Sequence, residues 1–195
     1  WSTTFNLRVR LDKFRDELKK EGYQEIPDIT IIQCLSVIVN GKARRRDILG
    51  IERSIVEENW DKTLDSIRLA IDFLKTNLKV THAKILPYNT CLVPIAFYFH
   101  AIPSSEQDND KRRVLEQWFW KVSLSNRYDM AAETKIGEDV QEMSKLVQGE
   151  DAFLDYEPAH LSVDHIVLQK LNLRSAFCKT ILCAFNQRGP KDFKD

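Results

Sequence analysis

Residues 114–128 read VLEQWFWKVSLSNRY and predict a helix with large apolar side chains on more than one side. Leu115, Trp118 and Val122 follow the three-and-four spacing that places side chains on one face of a helix. Trp120 lies off that face, so the helix is apolar on much of its circumference. Such a helix needs neighbours on several sides, and we therefore predict that it lies at the centre of the fold.

A second pattern predicts a long helix earlier in the chain. Apolar residues recur every three or four positions from Val56 to Leu78, which corresponds to about six helical turns. Shorter patterns of the same kind predict helices that begin near Leu7, Ile26, Ile136 and Arg174. We predict one all-α domain over residues 1–195, an irregular bundle of about seven to eight helices packed around the long helix and the aromatic helix.

Residues 92–99, LVPIAFYF, fit either a buried strand or a buried helix. Proline is rare inside central strands because it cannot donate to the ladder, so we predict a helix that begins or kinks near Pro94. The polar run 104–110 predicts a disordered loop, and the acidic residues 150–160 predict an irregular connector. Ser162 is expected to cap a short helix after that connector.

The composition is that of a globular domain without a strong charge bias. Lys plus Arg and Asp plus Glu number 29 each, which argues against a surface built to coat nucleic acid but leaves room for a local basic patch. The 4 cysteines lie in apolar helical patterns and predict buried, reduced thiols. The sequence shows no membrane span and no signal peptide, which predicts a cytoplasmic location. It begins at Trp1, and we expect it to be a piece of a longer protein.

Motifs for catalysis or metal binding are not found in the sequence. Its 4 histidines are scattered, and no glycine-rich phosphate loop or nucleophile elbow is present. Glu58, Asp61 and Asp65 share a face of the long helix, but no Glu-x-x-His motif accompanies them. We expect no catalytic residue, no metal and no cofactor in this chain, and thus no autonomous enzyme.

Two clusters are candidates for binding. The run Arg44-Arg45-Arg46 either contacts phosphates or forms a solvated connector whose arginine stems cover apolar surface. The pair Arg127-Tyr128 follows the aromatic helix and either contacts nucleic acid, a nucleotide or a neighbouring domain, or has a structural role. In the structural alternative, Arg127 bonds to carbonyls or a carboxylate and Tyr128 packs at the domain edge.

Several short motifs, in this order and spacing, resemble the helical part of a prokaryotic family known as domain of unknown function 262. They are LPYN at 86–89 with LVP at 92–94, WFW at 118–120, RY at 127–128, KIGEDV at 135–140 and LRSAFCK at 173–179. The family is related to GmrSD-type modification-dependent restriction systems, so the resemblance implies a parent protein that acts as a nuclease or NTPase. The family's ParB- and sulfiredoxin-like N-terminal part and its HNH region do not appear in this sequence, and their functional residues have no counterpart here.

The resemblance implies a non-catalytic helical scaffold domain of a DNA-targeting, restriction-like protein that acts in phage defence. Its expected partners are the other domains of the parent protein and DNA, the latter through Arg44, Arg45, Arg46 and Arg127. The alternative is a protein–protein interaction or oligomerisation module, such as a homo-oligomer, without nucleic-acid contact. A complete metal-dependent enzyme is a third hypothesis.

Overall fold

The computed structural model describes residues 5–102, 108–153, 172 and 174–189. These residues form eight α-helices and two 3₁₀ turns, and no strand occurs among them. The prediction of an all-α multi-helix bundle is therefore confirmed. The predictions for residues 104–107 and 154–171, including His160, His165 and the short helix at Ser162, lie outside the described residues.

The helices closely follow the apolar patterns of the sequence. They are α1 (Leu7–Glu21), α2 (Asp28–Asn40), α3 (Arg45–Leu49), α4 (Arg53–Thr76), α5 (Leu92–Ala101), α6 (Asn109–Leu124), α7 (Ala132–Gln148) and α8 (Ala176–Gln187). The 3₁₀ turns Ala83–Ile85 and Asn89–Cys91 lie between α4 and α5. The predicted polar loop is shorter than expected at its far end, because Asp108 already caps α6.

The ends of α1 show how local chemistry sets a helix boundary. Asn6 caps its start, and the Asn6 side chain accepts a hydrogen bond from the Val9 amide. Gly22 ends the helix with a φ of 80°, a left-handed conformation that glycine adopts without strain. A Cβ at Gly22 would lie 2.7 Å from the His82 ring, so glycine also permits this close approach.

The centre of the bundle is α5, and the prediction that the aromatic helix takes this place is wrong. From Leu92 to Phe99, every residue of α5 is buried except the half-buried Phe97. Among the described helices, α2, α4 and α7 all pack against α5, whereas α6 packs mainly against α8. The physical reason is that α5 is apolar on all sides, while α6 carries charged residues such as Arg113 on its outer face.

All four cysteines are buried and unpaired, as predicted. Within the described ranges, no helix has the length and the apolar character needed to cross a membrane.

Candidate functional site

The backbone that leads into the arginine run is held by hydrogen bonds from α2. Gln33 Nε2 donates to the Ala43 carbonyl at 3.3 Å, and Ser36 Oγ donates to the Lys42 carbonyl at 2.6 Å. The Lys42 amide in turn donates to Asn40 Oδ1 at 2.9 Å. Ala43 itself is buried, with 1% of its surface exposed. The segment is therefore a fixed part of the bundle, and its position is set before any partner arrives.

The three arginines that follow are all exposed. The Arg45 amide donates to Glu133 Oε2 at 3.3 Å, which ties the start of α3 to the start of α7. The Arg46 guanidinium lies 3.9 Å from Asp47 Oδ1, a long separation for an ion pair. Among the described residues, the side chains of Arg44 and Arg45 form no ion pair. Their guanidinium groups therefore remain available to an anionic partner.

A groove of about 340 Å³ separates this basic segment from α7. Lys42, Arg44 and Arg46 line one wall, and Glu133 and Glu138 line the other. Together with Asp47, these carboxylates equal the three cations of the groove in number. The positive potential of the arginines is therefore reduced inside the groove, where the carboxylates face them.

Arg127 lies in a different environment, against the inner side of α7. Its Nε donates to Asp139 Oδ1 at 2.9 Å, and its Nη2 lies 2.8 Å from the same oxygen. Nη2 also donates to Glu138 Oε2 at 2.9 Å. The Asp139 side chain is 0% exposed and that of Arg127 is 16% exposed. A buried carboxylate requires such a partner, because an unpaired charge is costly away from water.

Tyr128 completes the coordination of the same carboxylate. Its hydroxyl donates to Asp139 Oδ2, and the residue is only 5% exposed. Its ring packs edge-on against Tyr88, with 5.6 Å between the ring centroids. The Tyr88 hydroxyl donates to Asp129 Oδ1 at 2.6 Å, and burial together with this contact raises the pKa of Tyr88. This geometry matches the structural alternative for Arg127, which bonds to a carboxylate. Tyr128, however, is buried in the core rather than packed at the domain edge.

The loop between α6 and α7 carries unusual backbone conformations on both sides of this pair. Asn126 and Ala131 have φ angles of 54° and 52°, which residues with a side chain rarely adopt. Contacts of the loop with Asp139 hold it in this conformation.

Asp139 was not singled out from the sequence, although a signal for it exists. It lies three residues after Ile136 and four before Met143, and so within the buried stripe of α7. A carboxylate in an apolar stripe predicts a buried ion pair, but the spacing does not identify Arg127 as its partner.

Glu138 connects the two candidate clusters. It lines the groove opposite Arg44 and Arg46, and it also accepts a hydrogen bond from Arg127. Burial alone would raise the pKa of Glu138, but Lys135 and Arg127 lower it through hydrogen bonds and charge. The structure thus brings all of the predicted site residues to the N-terminal half of α7, where Glu138 lines the groove of the arginine run and also bonds to Arg127.

Ser66 of α4 and His100 of α5 lie close together. Ser66 Oγ lies 3.5 Å from His100 Nδ1, but the same hydroxyl donates to the Lys62 carbonyl at 2.7 Å. Burial and the charge of Lys62 lower the pKa of His100. The serine proton is therefore directed at a carbonyl rather than at a base. In the described part of the chain, no group of three or more His, Cys, Asp or Glu residues is placed to hold a metal ion.

The chain is similar to "Uncharacterized protein MJ0686" of Methanocaldococcus jannaschii, with 23% identity over 159 residues. The similarity covers 76% of this chain and 25% of the archaeal protein, so the chain spans about a quarter of the relative's length. No protein-family model matches the chain. No solved structure matches it.

Proposed function

We propose that this chain is a non-catalytic helical scaffold domain of a longer, DNA-targeting protein of the restriction-like type. In this proposal, Arg44, Arg45 and Arg46 contact nucleic-acid phosphates from the edge of the groove beside α7. The observation that carries it is the exposure of three consecutive arginines on a backbone that α2 holds in place. Arginine suits phosphates because its planar group donates two parallel hydrogen bonds.

The scaffold role is supported by two further observations. The archaeal relative is about four times longer than the matched region, since that region covers 25% of it. The ion-pair network of Arg127, Asp139 and Tyr128 is internal to the bundle, and we assign it to holding the loop between α6 and α7. Fixing this loop fixes the start of α7, against which the arginine run is placed.

Salt-dependent binding to duplex DNA tests the phosphate contact. For the unaltered chain, we expect affinity to fall steeply between about 50 and 200 mM salt, because binding releases counterions. Changing Arg44, Arg45 and Arg46 together to Ala should reduce the slope of log affinity against log salt by up to about 3. Fluorescence anisotropy of a labelled duplex gives both the affinity and the slope.

A matched variant removes the same number of arginines elsewhere. Arg8, Arg113 and Arg188 are exposed and form no ion pair within the described ranges, so the triple change to Ala keeps the net charge of the test variant. We expect it to retain most of the salt slope. Equal slopes for the two triple variants would contradict a specific role for the arginine run, and no binding at low salt would contradict DNA contact altogether.

The interaction-module alternative is favoured by two exposed apolar side chains. Leu49, at the end of α3, is 81% exposed, and Met130, just before α7, is 82% exposed. Contiguous exposed apolar patches mark protein–protein interfaces, so this alternative requires Leu49 and Met130 to be part of such a patch. A mass in solution that rises with protein concentration, together with no DNA binding at low salt, would support this alternative. A change of Leu49 and Met130 to Ser should then abolish the association.

A further inference from the structure

A second groove lies on another part of the bundle, between the connection from α4 to α5 and the start of α8. Its volume is about 610 Å³. Lys84 on the 3₁₀ turn and Arg174 and Lys179 at the start of α8 supply three cations to its walls, and Glu25 supplies a single carboxylate. These residues are far apart in sequence, and α8 brings them together by packing against the 3₁₀ turn.

The charge balance of this groove differs from that of the groove beside α7. There, Lys42, Arg44 and Arg46 face Asp47, Glu133 and Glu138, so cations and carboxylates are equal in number. Here the cations exceed the carboxylates by two, since three cations line the groove with one acid. An anionic ligand is therefore attracted into the second groove itself, whereas the first attracts it only at its edge.

The cations of the second groove are available for binding. Lys84 lies 3.2 Å from Glu25, but both side chains are largely exposed, so this ion pair is weak and easily replaced. Lys179 Nζ donates a hydrogen bond to the Leu86 carbonyl at 3.2 Å, which positions the ammonium, and the described part of the chain offers its other two N–H groups no further acceptor. Within the described residues, Arg174 takes part in no ion pair.

The groove also has an apolar wall, formed by Ala83, Ile85 and Leu182. Ile85 and Leu182 are half-buried, so each presents part of its side chain to the groove. The volume lies in the range of about 300–1,000 Å³ that is usual for small-molecule sites. A ligand that matches all these features has a phosphate at one end and a flat, weakly polar ring at the other. A nucleotide has this chemistry.

We propose that this groove binds the phosphoryl group of a nucleotide, with Lys84, Arg174 and Lys179 as the phosphate ligands. Ile85 and Leu182 contact the base. The nucleotide is either free or the end of a nucleic-acid strand, since the recognised chemistry is the same. This site does not depend on the arginine run at residues 44–46.

Calorimetric titration of the full chain with AMP, adenosine and a short single-stranded DNA tests the proposal. We expect AMP to bind. Adenosine lacks the phosphate and should bind at least about tenfold more weakly, which corresponds to the loss of one charge-assisted contact. If AMP binds more tightly than the single-stranded DNA, the ligand of the groove is a free nucleotide. If the DNA binds more tightly, the ligand is the end of a strand. Equal affinities for AMP and adenosine would overturn the proposal.

Three single variants locate the site. Arg174→Gln should weaken AMP binding by about tenfold, because it removes one charged donor. Glu25→Gln should strengthen AMP binding, because it removes the one carboxylate among the lining residues. Arg46→Gln, an exposed arginine on the other groove, should leave AMP affinity unchanged. Melting temperatures of the three variants show whether each one folds. Loss of AMP binding in Arg46→Gln but not in Arg174→Gln would refute the assignment of the nucleotide site to the second groove.

Discussion

Two arginine sites flank the N-terminal half of α7, and they differ in what surrounds them. The arginines at 44–46 are exposed, and among the described residues their side chains form no ion pair shorter than the 3.9 Å contact between Arg46 and Asp47. Arg127, in contrast, is 16% exposed and bonded to a carboxylate that is fully buried. Exposed ion pairs add little to stability, but removing one partner of a buried pair leaves a charge without compensation. The same residue type is therefore a potential ligand for an external anion at one site and a structural requirement at the other.

The largest effect is expected from Arg127→Ala. The change leaves the Asp139 carboxylate buried without its cation, and we expect the free energy of unfolding to fall by about 3–5 kcal/mol. Urea denaturation followed by circular dichroism measures this loss.

Two controls sharpen the comparison. Arg46→Ala removes an exposed arginine and should change the free energy of unfolding by no more than about 0.5 kcal/mol. The double change of Arg127 to Met and Asp139 to Leu removes both charges and should be less destabilising than Arg127→Ala alone. A similar loss for Arg127→Ala and Arg46→Ala would show that the Asp139 pair is not a structural requirement.

A smaller effect is expected from Tyr128→Phe. The hydroxyl of Tyr128 donates to the buried carboxylate, and a hydrogen bond to a charged group contributes about 1.5–3 kcal/mol. Tyr88→Phe is the matched control, because its hydroxyl donates to the exposed Asp129. We expect Tyr88→Phe to cost clearly less than Tyr128→Phe in thermal unfolding. The opposite order would contradict a larger contribution from the hydroxyl that donates to the buried Asp139.

The sequence predicted the helices well, because apolar spacing reports directly on which face of each helix is buried. The long stripe from Val56 to Leu78 became α4, and the glycines at 22, 41 and 149 follow the ends of three helices. Spacing does not report which helix has the most neighbours. The run 92–99 has little periodicity because all its sides are buried, and for this reason its central position was missed.

The candidate sites were predicted less completely than the fold. The arginine run and the Arg127-Tyr128 pair were found from residue type alone, but the partner Asp139 was not, because no spacing rule links residues 12 positions apart across a loop. The second groove was missed for a similar reason. Lys84 and Lys179 come together only through the packing of α8, which no local pattern predicts.

A modest gain in stability is expected from Ala131→Gly in the loop that carries Arg127 and Tyr128. Ala131 has a φ of 52°, which costs an alanine roughly 1–2 kcal/mol, whereas glycine adopts it freely. Part of this gain is offset, because glycine has more conformational freedom than alanine in the unfolded chain. We therefore expect a net stabilisation of about 0.5–1 kcal/mol. Ala184→Gly, an exposed site inside α8, should instead destabilise by about 1 kcal/mol. Equal signs for the two variants would contradict a strained backbone at Ala131.

The smallest effect concerns Glu138, which faces both arginine sites. Lys135 and Arg127 hold its pKa below the usual value of 4.5, against the opposite effect of burial. A carboxyl with a lower pKa in the folded state contributes stability above its unfolded pKa and loses that contribution as the pH falls through the folded pKa. The side chain is 45% exposed, so water screens the ion pair and the contribution at neutral pH should not exceed about 0.5 kcal/mol.

The test compares the unaltered chain with Glu138→Gln at two pH values. The difference in free energy of unfolding should be present at about pH 7 and should shrink at acidic pH, as the pH falls through the lowered pKa of Glu138 in the folded state. A difference that stays constant with pH would mean that Glu138 acts through packing rather than charge.

Glu138 also lines the groove opposite Arg44 and Arg46. Glu138→Gln should therefore bind DNA more tightly at low salt, because it removes a carboxylate that competes with phosphate for these arginines. A single substitution would then lower stability at one arginine site and raise affinity at the other, which is the result expected if the first site is structural and the second is a ligand surface.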